Sequence, residues 1–153
     1  MPAWLGIDHG HKRIGIAIGN IGDSFAAPVK VIPGQDIHQV YRQIGKIADE
    51  YNAKGAVVGW PLNMDDTEGP QGKSAREFAK NLADKTGLDV RMWDERLSSF
   101  TADQALAGHL TRGKRKTRQD AIAAADFLGE FLRQNGVDSA PKPDEVEEEP
   151  GKK

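Results

Sequence analysis

Apolar residues recur along this chain with two periods, and the switch between them outlines the fold. Leu5 to Asp8 is a short apolar run ending on a carboxylate. Ile14, Ile16 and Ile18 alternate with small residues, which is the period of a strand. The short connection between the two runs predicts an antiparallel hairpin. Phe25 to Ile32 reads as a third strand. Pro28 places it at an edge or a bulge, because proline cannot donate to a ladder. Pro33-Gly34 then breaks the chain. The period next becomes helical. Ile37, Val40, Tyr41, Ile44, Ile47, Ala48 and Tyr51 fall on one face. Gly55 to Trp60 is a compact apolar run, the signature of a strand buried on both sides. Pro61 to Gly69 is a loop, and Pro70 can open a second helix at its first position. Ala75, Phe78, Ala79, Leu82 and Ala83 form that helix's buried stripe, and Gly87 closes it. Leu88, Val90 and Met92 alternate into a fifth strand ending near Asp94. A third helix is expected from Thr101, with Gln104 at capping-box spacing. A last helix is expected from about Thr117 to Gln134, turning Ala121, Ala124, Ala125, Leu128 and Phe131 inward. There is no internal repeat. The order βββαβαβαα predicts one α/β domain, an antiparallel meander continued by right-handed parallel crossovers.

Composition narrows the chemistry. A length of 153 residues suits one ordinary domain. No apolar window is long enough for a membrane span, and Met1 to Gly6 lacks the basic start of a secretory signal. A cytoplasmic protein without a membrane partner is therefore expected. Cysteine is absent, which excludes disulfides, thiolate nucleophiles and Cys-ligated zinc or iron–sulfur sites. The net charge of −2 argues against a nucleic-acid partner only until it is divided. From Val137 to Lys153 there are six acids, three lysines and three prolines, so residues 137–153 read as a disordered acidic tail. Residues 1–136 then hold 18 basic and 17 acidic residues. Within them Thr111 to Arg118 (TRGKRKTR) carries five cations in eight positions. Such a run is either a solvated loop or a phosphate-contacting patch.

Three carboxylates stand at informative places. Asp8 ends the first strand beside Gly10, which permits a sharp turn. Glu95 directly follows the fifth strand, and Asp120 falls in the last helix. Strand-end carboxylates can converge at one edge of an α/β sheet. An all-oxygen set favours Mg²⁺ or Mn²⁺, and two such ions can serve a phosphoryl displacement. Each residue also has an ordinary explanation. Asp8 could bond turn amides, Glu95 could pair with Arg91 or Arg96, and Asp120 could cap a helix opened at Thr117. His9 and His11 flank the Asp8 turn, and Lys12 and Arg13 follow it, within reach of a phosphate or simply solvated. Asn63 either positions backbone or substrate or forms a turn.

Gly6-Ile7-Asp8-His9-Gly10-His11-Lys12-Arg13-Ile14-Gly15 resembles the opening motif of the YqgF family, the pre-16S rRNA nuclease or Holliday junction resolvase-like family. Val57-Val58-Gly59-Trp60-Pro61-Leu62-Asn63-Met64 with Glu68-Gly69-Pro70-Gln71 is similar to its central loop. Trp93-Asp94-Glu95-Arg96-Leu97-Ser98 resembles its Asp-Glu-Arg motif, and Asp120-Ala121-Ile122-Ala123-Ala124 its C-terminal signature. Trp60 and Asp66 depart from the family pattern, where aliphatic and glycine residues are commoner. The resemblance implies an RNase H-like fold, a mixed five-stranded sheet flanked by about four helices. It implies a metal-dependent nuclease with Asp8, Glu95 and Asp120 as acidic triad and metal ligands. The expected partners are structured RNA such as pre-rRNA, branched DNA, or the ribosome, bound by a monomer or a homodimer. Lys12, Arg13, Asn63, Arg96, Lys114, Arg115 and Lys116 are the candidate nucleic-acid contacts. Two other readings compete: a binding module with little catalysis, and a sugar-kinase-like phosphotransferase, which normally needs a second such domain.

Overall fold

The computed structural model describes residues 3–10, 12–22, 26–63, 65, 67–95 and 112–143, with side chains in the last stretch from residue 121 onward. The helix expected from Thr101 lies outside the described residues.

The meander forms as the alternation predicts. β1 (Ala3–His9) and β2 (Arg13–Asn20) pair antiparallel, with Leu5 opposite Ile18 and Ile7 opposite Ile16. β2 also pairs antiparallel with β3 (Ala26–Pro33). Pro28 is accommodated in both expected ways. β3 is an edge strand, and its register shifts between Lys30 opposite Ile16 and Pro28 opposite Ala17. α1 (Ile37–Tyr51) starts at Asp36, whose carboxylate accepts from the amides of His38 and Gln39 at 3.2 and 3.4 Å. It ends at Asn52, a left-handed residue that asparagine tolerates, and the chain enters β4 (Ala53–Trp60) at once. β4 lies parallel to β1; α2 (Pro70–Thr86) follows and is closed by left-handed Gly87. β5 (Asp89–Asp94) lies parallel to β4, giving the order β3-β2-β1-β4-β5. This is the mixed five-stranded sheet expected.

Strand alternation divides the core into two layers. Leu5, Ile7, Ile14, Ile16, Val58 and Met92 face α1 and α2, where Ile44, Phe78 and Leu82 meet them. Trp4, Ala17, Val57 and Trp93 face the other way, toward Ala124, Phe127, Leu128 and Phe131 of α3 (Arg112–Arg133). Each fully buried aromatic or leucine there contributes about 1.5–3 kcal/mol. Two glycines let α3 lie directly on the sheet. A Cβ on Gly6 would stand 2.7 Å from the Ala124 carbonyl oxygen, and one on Gly19 would stand 2.8 Å from Leu132 Cδ1. Gly19 pairs with Trp4, so later helix residues lie over earlier β1 residues and α3 runs antiparallel to β1.

The structure changes two expectations about the chain's end. α3 begins at Arg112, not near Thr117, so the cationic run belongs to its first turns and is not a loop. Lysine and arginine are good helix formers, and five of them outweigh the weak formers Gly113 and Thr117. Thr117 consequently lies inside the helix and does not cap it. The folded part also passes residue 136. α4 (Gly136–Ser139) leads to buried Ala140, whose carbonyl accepts from Arg91 Nη1 at 3.0 Å. The Met92 amide donates to the Pro141 carbonyl at 2.8 Å. This segment covers the free edge of β5, a need that local composition does not reveal. Residues 144–153 of the expected tail lie outside the described residues.

Candidate active site

The C-terminal ends of β1, β4 and β5 build the site. Asp8 has the strand parity of Trp4 and Gly6 and so belongs to the face that α3 covers. The turn after it is held by backbone. The Gly10 amide donates to the Arg13 carbonyl at 3.0 Å, and the Gly34 amide to the Lys12 carbonyl at 2.8 Å. Lys12 and Arg13 are thereby anchored through their main chain between the site and the entrance to α1. Glu95 turns back from the end of β5 across β4. A Cβ on Gly59 would stand 2.5 Å from Glu95 Oε1 and 2.8 Å from Phe127 Cε2.

Asp8 and Glu95 meet through a side-chain hydrogen bond. Burial is the main force raising the Glu95 pKa above its ordinary 4.5; the bond to Asp8 opposes this, and the charge of Asp94 adds to it. The expected alternative for Glu95, an ion pair with Arg91, is not formed, because Arg91 Nε binds Asp89 at 2.8 Å. Arg96 lies outside the described residues.

Asp8 and Glu95 line a cavity of about 520 Å³ together with Pro61 and with Pro70, Gln71 and Ser74 of α2. His9 also lines it, with its ring stacked on Phe78 at 4.3 Å between centroids. Phe78 stacks in turn on Tyr41 at 5.6 Å, so the His9 ring is supported from the core. A larger groove of about 620 Å³ lies at the other end of β5. Its acids are exposed Asp84 and Arg91-paired Asp89, and no buried carboxylate pair stands there.

Asp120 is reached through helix register. Ala124 lies against Gly6. Four residues back along α3 cover about 6 Å, nearly the rise of the two β1 residues from Gly6 to Asp8. The turn of α3 that contains residue 120 thus reaches the level of Asp8, while the Asp120 side chain lies outside the described residues. So do the side chains of Lys114, Arg115 and Lys116, whose backbone forms the start of the same helix.

Among the described residues no group of three or more His, Asp or Glu is gathered as a metal cluster. Two carboxyl groups lining one cavity nevertheless suit a hard divalent ion. The donor set fits Mg²⁺ or Mn²⁺ and contains no soft ligand.

Asn63 serves its own loop. Its Nδ2 donates to Thr67 Oγ1 at 2.9 Å, its amide donates to the Thr67 carbonyl at 2.9 Å, and the Thr67 hydroxyl donates to Asp65 Oδ1 at 2.6 Å. Beside it stands a buried ion pair that the sequence pattern does not predict. Glu68 accepts from Arg76 Nε and Nη2 at 2.9 and 3.0 Å and from Trp60 Nε1 at 2.9 Å. One signal was present: Arg76 stands on the 72–75–76–79 stripe of α2, a charge among positions that should be apolar.

A sheet of this order, with one carboxylate at the end of its central strand β1 and another just past its edge strand β5, has the RNase H-like fold. The family model described as RuvX, Holliday junction resolvase, matches residues 2–134, and the chain belongs to that family, which is also called YqgF. A protein of Chelativorans sp. (strain BNC1) named "Putative pre-16S rRNA nuclease" is 41% identical over 124 residues, 80% of this chain and 78% of the relative. A protein of the same name from Bacillus cereus (strain B4264) is 38% identical over 131 residues, covering 84% and 96%. Among solved structures, T. thermophilus RuvC in complex with a Holliday junction substrate superposes with a TM-score of 0.59 at 15% identity, covering 92% of this chain and 99% of RuvC. The fowlpox virus Holliday junction resolvase gives 0.50 at 14%, covering 86% and 99%. At such identities the likeness concerns the fold alone.

Proposed function

We propose that this protein is a metal-dependent nuclease that hydrolyses phosphodiester bonds and processes the 5′ end of pre-16S rRNA. The observation that carries this reading is that Asp8 and Glu95, from the ends of β1 and β5, line one cavity, with Glu95 lying over Gly59 of the strand between them. The family and its curated relatives supply the substrate class. Asp8 and Glu95, with Asp120, would hold Mg²⁺ or Mn²⁺, one ion or two. The bound metal would lower the pKa of a water and offset charge at phosphorus. Lys12, Arg13, Arg96, Lys114, Arg115 and Lys116 hold the flanking backbone by charge. Asn63 contributes through the shape of its loop. Cations at the first turns of α3 oppose its dipole, a local cost that phosphate contact would offset. The protein works in the cytoplasm, where pre-rRNA and the assembling ribosome are found.

The fold favours one second reading, a Holliday junction nuclease acting as a two-fold dimer. Cleavage of a 5′-extended rRNA precursor and of a four-way DNA junction, with Mg²⁺ or Mn²⁺, separates the two. Metal-dependent cutting of the precursor, lost by at least about 100-fold in Asp8→Asn, is the expected result. Full activity in a folded Asp8→Asn protein sinks the site. Chelator-insensitive binding without cleavage identifies a binding module instead.

A further inference from the structure

We propose that Glu68, Arg76 and Trp60 form a positioning clamp that holds the first turn of α2 as a wall of the cavity, where Gln71 and Ser74 contact the nucleic-acid strand. This rests on the nuclease reading and extends it to residues outside the acidic set.

The clamp is not needed for stability as such. Arg76 is 4% exposed, and its side chain and that of Glu68 are 5% and 6% exposed. A buried ion pair loses so much hydration that apolar residues of the same volume commonly stabilise a fold as well. What the pair adds is direction. The guanidinium fork meets both carboxylate oxygens, and the Trp60 indole N–H fixes the carboxylate from a third side. The three residues belong to α2, the 61–69 loop and the end of β4, so one carboxylate joins all three. Gly72 permits the close approach: a Cβ there would stand 2.9 Å from Glu68 Cγ and 3.0 Å from the Pro61 carbonyl oxygen. One residue before Gly72 and two after it, Gln71 and Ser74 line the same cavity as Asp8 and Glu95. An amide and a hydroxyl are neutral groups that bond phosphate oxygens and sugar hydroxyls, which positions a strand without reading its sequence.

Full-length wild type is compared with Gln71→Ala/Ser74→Ala, with Arg76→Lys, and with Glu68→Leu/Arg76→Met, which replaces the pair by apolar groups. The readouts are steady-state cleavage of the rRNA precursor, its binding by fluorescence anisotropy, and amide exchange across residues 61–74. The Gln71/Ser74 variant should raise KM and Kd about tenfold, the loss of one or two hydrogen bonds, with kcat within about threefold and exchange unchanged. The apolar pair should speed exchange across 61–74 by about tenfold and raise KM alike, with Arg76→Lys between it and wild type. Unchanged KM and Kd in the Gln71/Ser74 variant overturns the contact. Unchanged exchange in the apolar pair, or in Arg76→Lys should that pair fail to fold, overturns the clamp. A wild type that neither cuts nor binds overturns the nuclease reading and the contact, while exchange still decides the clamp.

Discussion

Glu95 occupies the space that a side chain on Gly59 would need: a Cβ there would lie 2.5 Å from Glu95 Oε1 and 3.0 Å from its Cγ. The missing side chain opens a path over β4, and along it the carboxylate of β5's end reaches Asp8 on β1. Phe127 borders the same space, so the acid has little room to retreat.

Gly59→Ala should therefore harm the site more than the fold. Overpacking of one methyl group costs about 1–3 kcal/mol, which a denaturant melt measures. Displacing Glu95 should lower Mn²⁺ affinity, read by calorimetric titration, and reduce cleavage by about 100-fold. Wild-type metal affinity in the alanine variant would show that the path over Gly59 is not what sets Glu95.

A pH dependence arises from the same pair. The native Glu95 pKa is raised above 4.5, chiefly by burial, so folding favours the protonated acid. Its contribution to stability is complete below the unfolded pKa and is lost as pH rises through the native one. In chelator, the stability of wild type should fall, relative to Glu95→Gln, as pH rises above the ordinary carboxylate range. Mg²⁺ or Mn²⁺ should reduce that fall, because a bound cation stabilises the charged carboxylate. Parallel pH curves for the two proteins in chelator contradict the assignment.

Much of the fold was legible because its elements carry strong local periods. The isoleucines of β2, the α1 stripe and the double-sided burial of β4 needed no tertiary information. Pro28 announced an edge or a bulge, and β3 has both. The site was legible only in parts. Asp8 opposes Leu5 and Ile7 in strand parity, but parity does not say which helix covers that face. The Asp8–Glu95 contact depends on the space above Gly59, a tertiary relationship that no spacing encodes. Arg76 broke the apolar stripe of α2, yet its partner lies eight residues earlier across Pro70. The α3 start was misplaced because the cationic run has no apolar period to mark it. Residues 137–143 cover the β5 edge through their backbone, which composition does not register.

Gly6 offers a test of how α3 reaches the site. A Cβ on it would lie 2.7 Å from the Ala124 carbonyl oxygen and 2.8 Å from Leu128 Cβ, and a helix backbone cannot yield as a side chain can. Gly6→Ala should cost about 1–3 kcal/mol by lifting the helix. Activity should fall even where the protein remains folded, because the turn with Asp120 moves away from Asp8. A folded Gly6→Ala protein with wild-type cleavage would remove that turn from the site.

Two truncations separate the strap of residues 136–143 from residues 144–153. The strap buries Ala140, accepts from Arg91 through the Ala140 carbonyl and receives the Met92 amide at the Pro141 carbonyl. It also packs beside Trp93 and Phe131 in the α3 layer of the core. Ending the chain at residue 143 should change stability by no more than about 0.5 kcal/mol, as for surface changes. Ending it at residue 135 should cost about 1–3 kcal/mol, from two lost hydrogen bonds and the lost cover of the aromatic cluster. It also bares the β5 edge, so light scattering should rise on warming before the melt is complete. Equal melting of the two truncated proteins would mean that the strap neither stabilises the sheet nor guards its edge.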